Sequence, residues 1–188
     1  MNVLVISSSP NTDGLTAACA AAAVEGARRA GAQAEEIRLN DLQVGICQAC
    51  DDGWGTCRTE HACQVNDEFQ ALHTRVLEAD ALVLVTPVYY GEMSERAKAF
   101  ADRLRRCEGT RGSESGLADK PVIAVAAAGG SGNGTITCLA SMERWIQHVK
   151  GHVFDLIPVK RWTRKNKLTT IREAACTMAR ETLEKKTA

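Results

Sequence analysis

Apolar positions along this chain come in short unbroken runs, separated by longer stretches in which apolar and polar residues recur with helical period. The runs Val3–Ile6, Ala81–Thr86 and Val122–Ala127 are apolar but for the closing Thr86, as expected of strands buried on both faces of a parallel sheet. Reading the whole pattern predicts a strand near Asn2–Ile6, a helix over Leu15–Ala30, a strand near Gln33–Leu39 and an irregular segment from Asn40 to Asn66. It then predicts a helix over Asp67–Glu78, the strand Ala81–Thr86, a helix from about Ser94 to Arg106 and the strand Val122–Ala127. A helix around Thr135–Val149, a strand near Val153–Ile157 and a helix over Leu168–Glu184 complete the series. Each of the five strand signals leads to a helix signal, which requires right-handed crossovers and a doubly wound, five-stranded parallel sheet of the α/β class. Ligands of such sheets sit beyond the carboxyl ends of the strands, so the loops after the first, third and fourth strands are expected to converge.

The first of these loops follows Val3–Ile6 and leads into an alanine-rich helix. Such a turn aims backbone N–H groups and the positive end of the helix dipole at one point. Ser7, Ser9, Asn11 and Thr16 can add hydroxyl and amide hydrogen bonds there, with Pro10, Gly14 and Leu15 shaping the turn. The loop has no lysine and matches neither the triphosphate loop G-x-x-x-x-G-K-[ST] nor the dinucleotide pattern G-x-G-x-x-G, which leaves a phosphomonoester as the expected guest. In the second loop, Pro87, Val88, Tyr89, Tyr90 and Gly91 put flat amphipathic side chains beside a stiff proline. In the third, Gly129, Gly130, Ser131 and Gly132 allow backbone to approach a ligand closely. A phosphate cradle and two walls for a ring system suit flavin mononucleotide (FMN) better than a dinucleotide.

Composition narrows the partners. In 188 residues, lysine plus arginine balance aspartate plus glutamate at 23 each, so no overall field draws the chain to nucleic acid or to an anionic membrane. No apolar stretch is long enough to span a bilayer and the start does not resemble a secretion signal. A single cytoplasmic domain over residues 1–188 is expected. Eight cysteines in such a chain favour metal binding, redox chemistry or buried thiols over structural disulfides.

The combination of Ser7-Ser8-Ser9-Pro10-Asn11 with Gly14 and Thr16, and of Thr86-Pro87-Val88-Tyr89 with Ser94, Lys98, Asp102 and Arg103, resembles the flavodoxin-like NAD(P)H-dependent FMN reductases. Within them it is most similar to the iron-sulfur flavoproteins. The resemblance implies a flavodoxin-like sheet of order 2-1-3-4-5, FMN held by the three loops, and homodimers or homotetramers with flavin sites near the interfaces.

Between residues 40 and 66 stand Cys47, Cys50, Cys57 and Cys63, spaced C-x2-C-x6-C-x5-C. Two thiolates on one tight turn can share a metal or a cluster edge, and the other two can close the shell. A [4Fe–4S] cluster, a zinc ion and metal-free thiols are three competing occupancies. The third cysteine is delayed relative to the family's C-x2-C-x2-C, and Asp51 and Asp52 would oppose reduction of an anionic cluster. Cys19, Cys107, Cys138 and Cys176 are expected as buried thiols and the histidines as solvent-exposed, with His61 a stray candidate ligand. Trp54 either packs over the loop or lines a pocket. The run Lys160, Arg161, Arg164, Lys165 and Lys167 around Trp162 is expected as a solvated loop, or as a grip for the extra phosphate of NADPH or for a partner's acidic face.

No catalytic triad is legible, as befits chemistry carried on a flavin. The expected function is an FMN-dependent oxidoreductase that takes hydride from NAD(P)H and hands electrons to a small acceptor or to a cysteine-bound cluster. The alternatives are a flavodoxin-type electron carrier, which the zero net charge disfavours, and a flavin-free metal or thiol module.

Overall fold

The structure, a computed structural model, describes residues 1–187. Strands β1 (Asn2–Ser7), β2 (Gln33–Arg38), β3 (Ala81–Tyr89), β5 (Pro121–Ala128) and β6 (His152–Lys160) form a parallel sheet in the order β2-β1-β3-β5-β6, and β4 (Glu92–Met93) pairs antiparallel with β3. Because β4 is only a short return on β3, the five parallel strands keep the expected order 2-1-3-4-5. Helices α1 (Leu15–Arg29) and α6 (Arg164–Thr187) cover one face, packed against Val3, Val5, Val83, Val85, Ile123 and Val125. On the other face lie α3 (Phe69–Glu78), α4 (Glu95–Glu108) and α5 (Thr135–His148), packed against Leu4, Ile6, Leu82, Leu84 and Ala124. Successive side chains of a strand point to opposite faces, so one unbroken apolar run supplies both cores. The connection from β2 to α3 holds one short helix, α2 (Thr56–Thr59).

Two elements differ from the sequence reading. The loop expected after Thr86 is partly strand: β3 continues through Pro87 to Tyr89, turns at Tyr90 and Gly91, and returns as β4. Both turn residues have positive φ, 52° and 83°, the conformation a two-residue hairpin requires, but Tyr-Gly lacks the Asn-Gly signature by which such turns are recognised. The basic run expected as a solvated loop is also structured. Lys160 ends β6, residues 161–163 form a 3-10 turn, and Arg164, Lys165 and Lys167 lie in the first turns of α6. Pro158 is tolerated inside β6 because that strand is at the edge of the sheet.

The alanine-rich α1 does more than favour helix. It lets α1 and α6 approach until a β-carbon at Gly26 would stand 2.1 Å from the Arg172 carbonyl oxygen. Gly26→Ala gains about 1 kcal/mol of helix propensity but forces the helices apart, and overpacking costs about 1–3 kcal/mol or more. The expected result is net destabilisation, measured as a lower urea midpoint.

Candidate active site

The loops after β1, β3 and β5 meet at one rim, fastened by buried hydroxyls. Ser8 N–H donates to the Val85 carbonyl at 3.1 Å. Ser94, which caps α4, has its Oγ 2.9 Å from Ser8 Oγ and 3.1 Å from the Ser8 carbonyl oxygen, while its own N–H donates to Thr86 Oγ1 at 3.0 Å. These contacts join the first loop to the second across the point where strand order reverses. Thr137 Oγ1, at the start of α5, lies 2.9 Å from the Gly91 carbonyl oxygen, and a β-carbon on Gly134 would stand 2.6 Å from Gly91 Cα. The second and third loops are thereby joined. Trp162 then covers the third: a β-carbon on Gly132 would stand 2.4 Å from its ring. The fastening roles of the Ser8, Thr86 and Thr137 hydroxyls escaped the sequence reading, because lone hydroxyls carry no spacing signal.

The rim keeps donors free for an anion. Gly14 is the N-cap of α1 and supplies no side-chain cap, and the first turn has no acidic residue, so the leading N–H groups have no partner from the helix itself. Ser9 is buried, with its Oγ accepting from Asn11 N–H at 3.2 Å. Pro10 and Asn11 are exposed, Gly14 and Leu15 half-buried, and Thr16 buried on α1. Ser7 stands apart from this set, since its hydroxyl is 2.6 Å from Glu36 Oε1 on β2. At Gly129 and Gly130 a β-carbon would meet nothing within 4 Å, and Ser131 is exposed beside them. Pro87 and Val88 are half-buried, Tyr89 is 39% exposed and Tyr90 fully so. An uncapped helix terminus beside an open glycine edge fits a phosphate joined to a planar ring.

Cys47, Cys50, Cys57 and Cys63 all line one cavity of about 20 Å³ together with Arg103 and Arg106, room for about one water. All eight cysteines are free thiols. Among the described residues no three Cys, His, Asp or Glu side chains gather as a single metal ion would require. Arg103 is 1% exposed, stacks 4.2 Å from the Phe69 ring centroid and binds Asp67 through both terminal nitrogens, at 2.5 and 2.9 Å. Its Nη2 also lies 3.2 Å from Cys63 Sγ, and its buried Nε has no hydrogen-bond partner. Arg106 donates to the Gly53 carbonyl at 2.6 Å and lies over Trp54 at 4.5 Å, so Trp54 packs over the loop. Asp51 and Asp52 are exposed and do not line the cavity. Water screens them more than it does the two guanidiniums at the cavity wall, so the charge nearest the thiols is positive.

Behind this segment lies a buried polar network. His73, expected in solvent, is 1% exposed and lies 2.8 Å from Glu108 Oε1; the charge partner on α4 is what permits its burial. Ser115 Oγ and Gly116 N–H also donate to Glu108, at 3.0 and 2.8 Å, and Gln70 links His73 to the Cys63 N–H. His61 is tied to the Cys107 carbonyl oxygen at 3.1 Å. Cys19, Cys107, Cys138 and Cys176 are buried as expected, and burial pushes the first three up to about 12.

A parallel sheet of this order, with three loops fastened at its switch point beside an uncapped helix terminus, defines the flavodoxin-like class of α/β protein. The chain belongs to the NADPH-dependent FMN reductase family, whose model matches residues 1–157; it is thus an FMN-binding, NAD(P)H-dependent oxidoreductase by family. It is similar to an iron-sulfur flavoprotein of Methanosarcina thermophila, 26% identical over 156 residues, which are 81% of this chain and 76% of the relative. A second iron-sulfur flavoprotein, from Methanocaldococcus jannaschii, is 31% identical over 105 residues, 56% of this chain and 52% of that protein; the match thus spans about half its length. Among solved structures, an FMN-dependent NADH-azoreductase of Bacillus anthracis in complex with FMN superposes with a TM-score of 0.73 at 13% identity, covering 95% of this chain and all of that one. Among the described residues no helix is long and apolar enough to cross a membrane.

The carboxylates behind the cysteine segment set an acid limit on stability. Burial opposes ionisation of Glu108, but the bonds from His73, Gly116 and Ser115 outweigh it and hold its carboxyl below the usual 4.5. Burial likewise opposes ionisation of Asp67, and Arg103 with the Gly45 and Phe69 N–H groups holds it below 3.8. A folded pKa below the unfolded one contributes stability that is complete above the unfolded value and drains away as pH falls towards the folded one. Glu108→Gln is expected to cost about 2–3 kcal/mol at pH 7 and progressively less below pH 4.5. Urea midpoints of both proteins at pH 7 and pH 3.5 measure the difference; a pH-independent gap contradicts the assignment.

Proposed function

We propose that this chain, as a single domain over residues 1–188 with a cysteine-bearing insert at 40–66, passes electrons from NAD(P)H through FMN to a small acceptor such as a free flavin, a quinone, or a nitro or azo compound. The observation that carries this reading is the fastened rim: three loops, tied through Ser94 and Thr137, facing an uncapped helix terminus. The first-turn N–H groups of α1, with Ser9, Asn11 and Thr16, hold the phosphate, and Gly14 lets it approach. Ser7, whose hydroxyl is engaged with Glu36, is left outside the phosphate-holding set. Pro87, Val88 and Tyr89 form one wall for the ring, and Gly129 to Gly132 form the other. Backbone N–H groups at Tyr89–Gly91 and Gly129–Ser131 would favour negative charge on a reduced ring. When bound, FMN supplies the capacity to accept hydride and release electrons, so the protein needs no general acid or base of its own.

The four clustered cysteines are read as ligands of a [4Fe–4S] cluster. Support comes from their shared cavity and the names of the relatives. Seating a cluster in so narrow a cavity requires the thiols to spread, and the segment has only the four-residue α2 to resist. Held there, the cluster would supply a one-electron store.

Assembly is proposed as a homodimer or homotetramer. Tyr90 is fully exposed at the hairpin tip, and Ile136, 67% exposed, neighbours the Thr137 that touches Gly91, so apolar surface without a partner borders the ring walls. Eight free thiols suit a reducing cytoplasm.

Anaerobic purification, absorption spectra and iron, zinc and sulfide analysis test the cofactors, and NADPH oxidation with each acceptor tests the activity. A yellow protein whose NADPH oxidation vanishes on flavin removal is expected; colour without NADPH oxidation would make it a carrier, and a colourless metal protein would end the flavin reading. Gly134→Ala, at φ +77° and hard against Gly91, is expected to weaken FMN binding at least tenfold, measured by flavin fluorescence. Tyr90→Asp is expected to shift the assembly towards monomer in sedimentation, and an unchanged profile would remove the hairpin tip from the interface.

A further inference from the structure

The basic turn that follows β6 has no counter-charge of its own. From Leu156 to Arg172 the chain carries six cations and no acid, in a protein whose formal charge is zero. Arg172 is paired with Glu25 at 2.8 Å. Among the described residues, Lys160, Arg161, Arg164, Lys165 and Lys167 enter no ion pair. The last three open α6, where the helix dipole disfavours positive charge. Their mutual repulsion is relieved by an anion bound among them.

The turn is ordered, and it is built against the flavin rim. Lys160 N–H donates to Thr163 Oγ1 at 3.0 Å and that hydroxyl donates to the Lys160 carbonyl oxygen at 3.1 Å, which closes the 3-10 turn over residues 161–163. Closed in this way, the turn lays one edge of Trp162 on Gly132, the last residue of the third loop's ring wall. A β-carbon on Gly132 would stand 2.4 Å from the indole and 3.2 Å from Lys160 Cδ. Gly132 is buried beneath them, yet Trp162 remains 63% exposed, with Lys160 Nζ 5.7 Å from its ring centroid. Arg161 and Arg164, on either side of it in the chain, are exposed as well. A fixed aromatic face, open to solvent and attended by unpaired cations, thus stands directly behind the glycines that border the ring.

We propose that Lys160, Arg161 and Arg164 hold the 2′-phosphate of NADPH while its adenine lies on the open face of Trp162, so that this turn selects NADPH over NADH. The inference rests on the reductase reading given above and assigns residues to a choice that family membership leaves open. NADPH and NADH differ by one phosphate on the adenosine ribose, and that group carries close to two negative charges. Cations placed to meet it are therefore the feature that tells the two apart. Arginine forks and a lysine ammonium suit phosphate oxygens, and an arginine is a common companion of a ribose 2′-phosphate in dinucleotide sites. With nicotinamide over the flavin, an adenosine half that leaves across the third wall meets Trp162 and Lys160 first. An acidic protein partner fits less well, because these cations gather about a single indole at the edge of a small-molecule site and the rest of the chain is balanced in charge.

The test titrates FMN-loaded, full-length protein with adenosine 2′,5′-bisphosphate and with adenosine 5′-monophosphate by calorimetry, and compares kcat/KM for NADPH and NADH. The parent is expected to bind the bisphosphate about tenfold more tightly and to prefer NADPH to a similar degree, the worth of one charge-assisted phosphate contact. Lys160→Gln is expected to shrink both preferences several-fold. Arg161→Gln, on the exposed part of the turn, is expected to do the same and serves as the second variant should Lys160→Gln disturb the packing on Gly132. Trp162→Leu is expected to weaken both adenosine nucleotides alike, and unchanged binding in that variant takes the adenine off the ring and overturns the placement. A turn that merely braced the third loop would, when altered, depress NADPH and NADH oxidation by the same factor; that result overturns the proposal while the reductase reading stands. Parent protein that binds the two adenosine nucleotides equally and uses NADH as well as NADPH also overturns it, and leaves the patch to an acidic protein partner. Flavin-loaded parent that oxidises neither NADPH nor NADH overturns the reductase reading and this inference with it.

Discussion

The hydroxyl of Ser94 is the point on which the architecture of the rim turns. It caps α4, sits against both the hydroxyl and the carbonyl of Ser8, and belongs to a residue whose N–H is held by Thr86. A parallel sheet brings β1 and β3 side by side, yet nothing in strand pairing dictates how the loops beyond them are disposed. Backbone pairing ends near Ser8 and Val85, and from there buried hydroxyl contacts carry the register outward into the ligand edge. A hydroxyl buried without partners would be costly, so each member of the group holds the others in place.

From that point α4 leads inward. Its first turn orders the flavin rim, its middle presents Arg103 to the cysteine segment, and its last turn buries Glu108 against His73 and Ser115. The β2–α3 connection has little regular structure and depends on this helix for its shape. Arg96 reaches the Val44 carbonyl, Arg103 the Gly45 carbonyl and Arg106 the Gly53 carbonyl. Three arginines on one helix thus bind backbone oxygens of a segment that has few hydrogen bonds of its own.

The two-faced core was legible because runs such as Val3–Ile6 and Val122–Ala127 suit strands buried on both faces, whereas the strand order came from the family resemblance. The convergence of the three loops followed from topology. The hairpin at Tyr90-Gly91 was hidden because its turn lacks the usual residues, and the start of α6 was hidden because Arg164, Lys165 and Lys167 lie where a helix normally carries acids. His73 looked like a surface residue because its partner, Glu108, is distant in sequence and nothing local announces a buried pair. Arg103 appeared only as part of a family pattern. Its contact with Cys63 depends on how a long irregular segment folds back on a helix, which periodicity does not describe.

The division of the thiols between core and segment bears on how this protein can be handled. Cys19, Cys107 and Cys138 are shut away and pushed up to about 12, whereas Cys47, Cys50, Cys57 and Cys63 are partly open to solvent. An alkylating or mercurial reagent applied to native protein at neutral pH therefore counts the segment's sulfurs and little else. Its stoichiometry becomes a direct gauge of how many of them are already occupied.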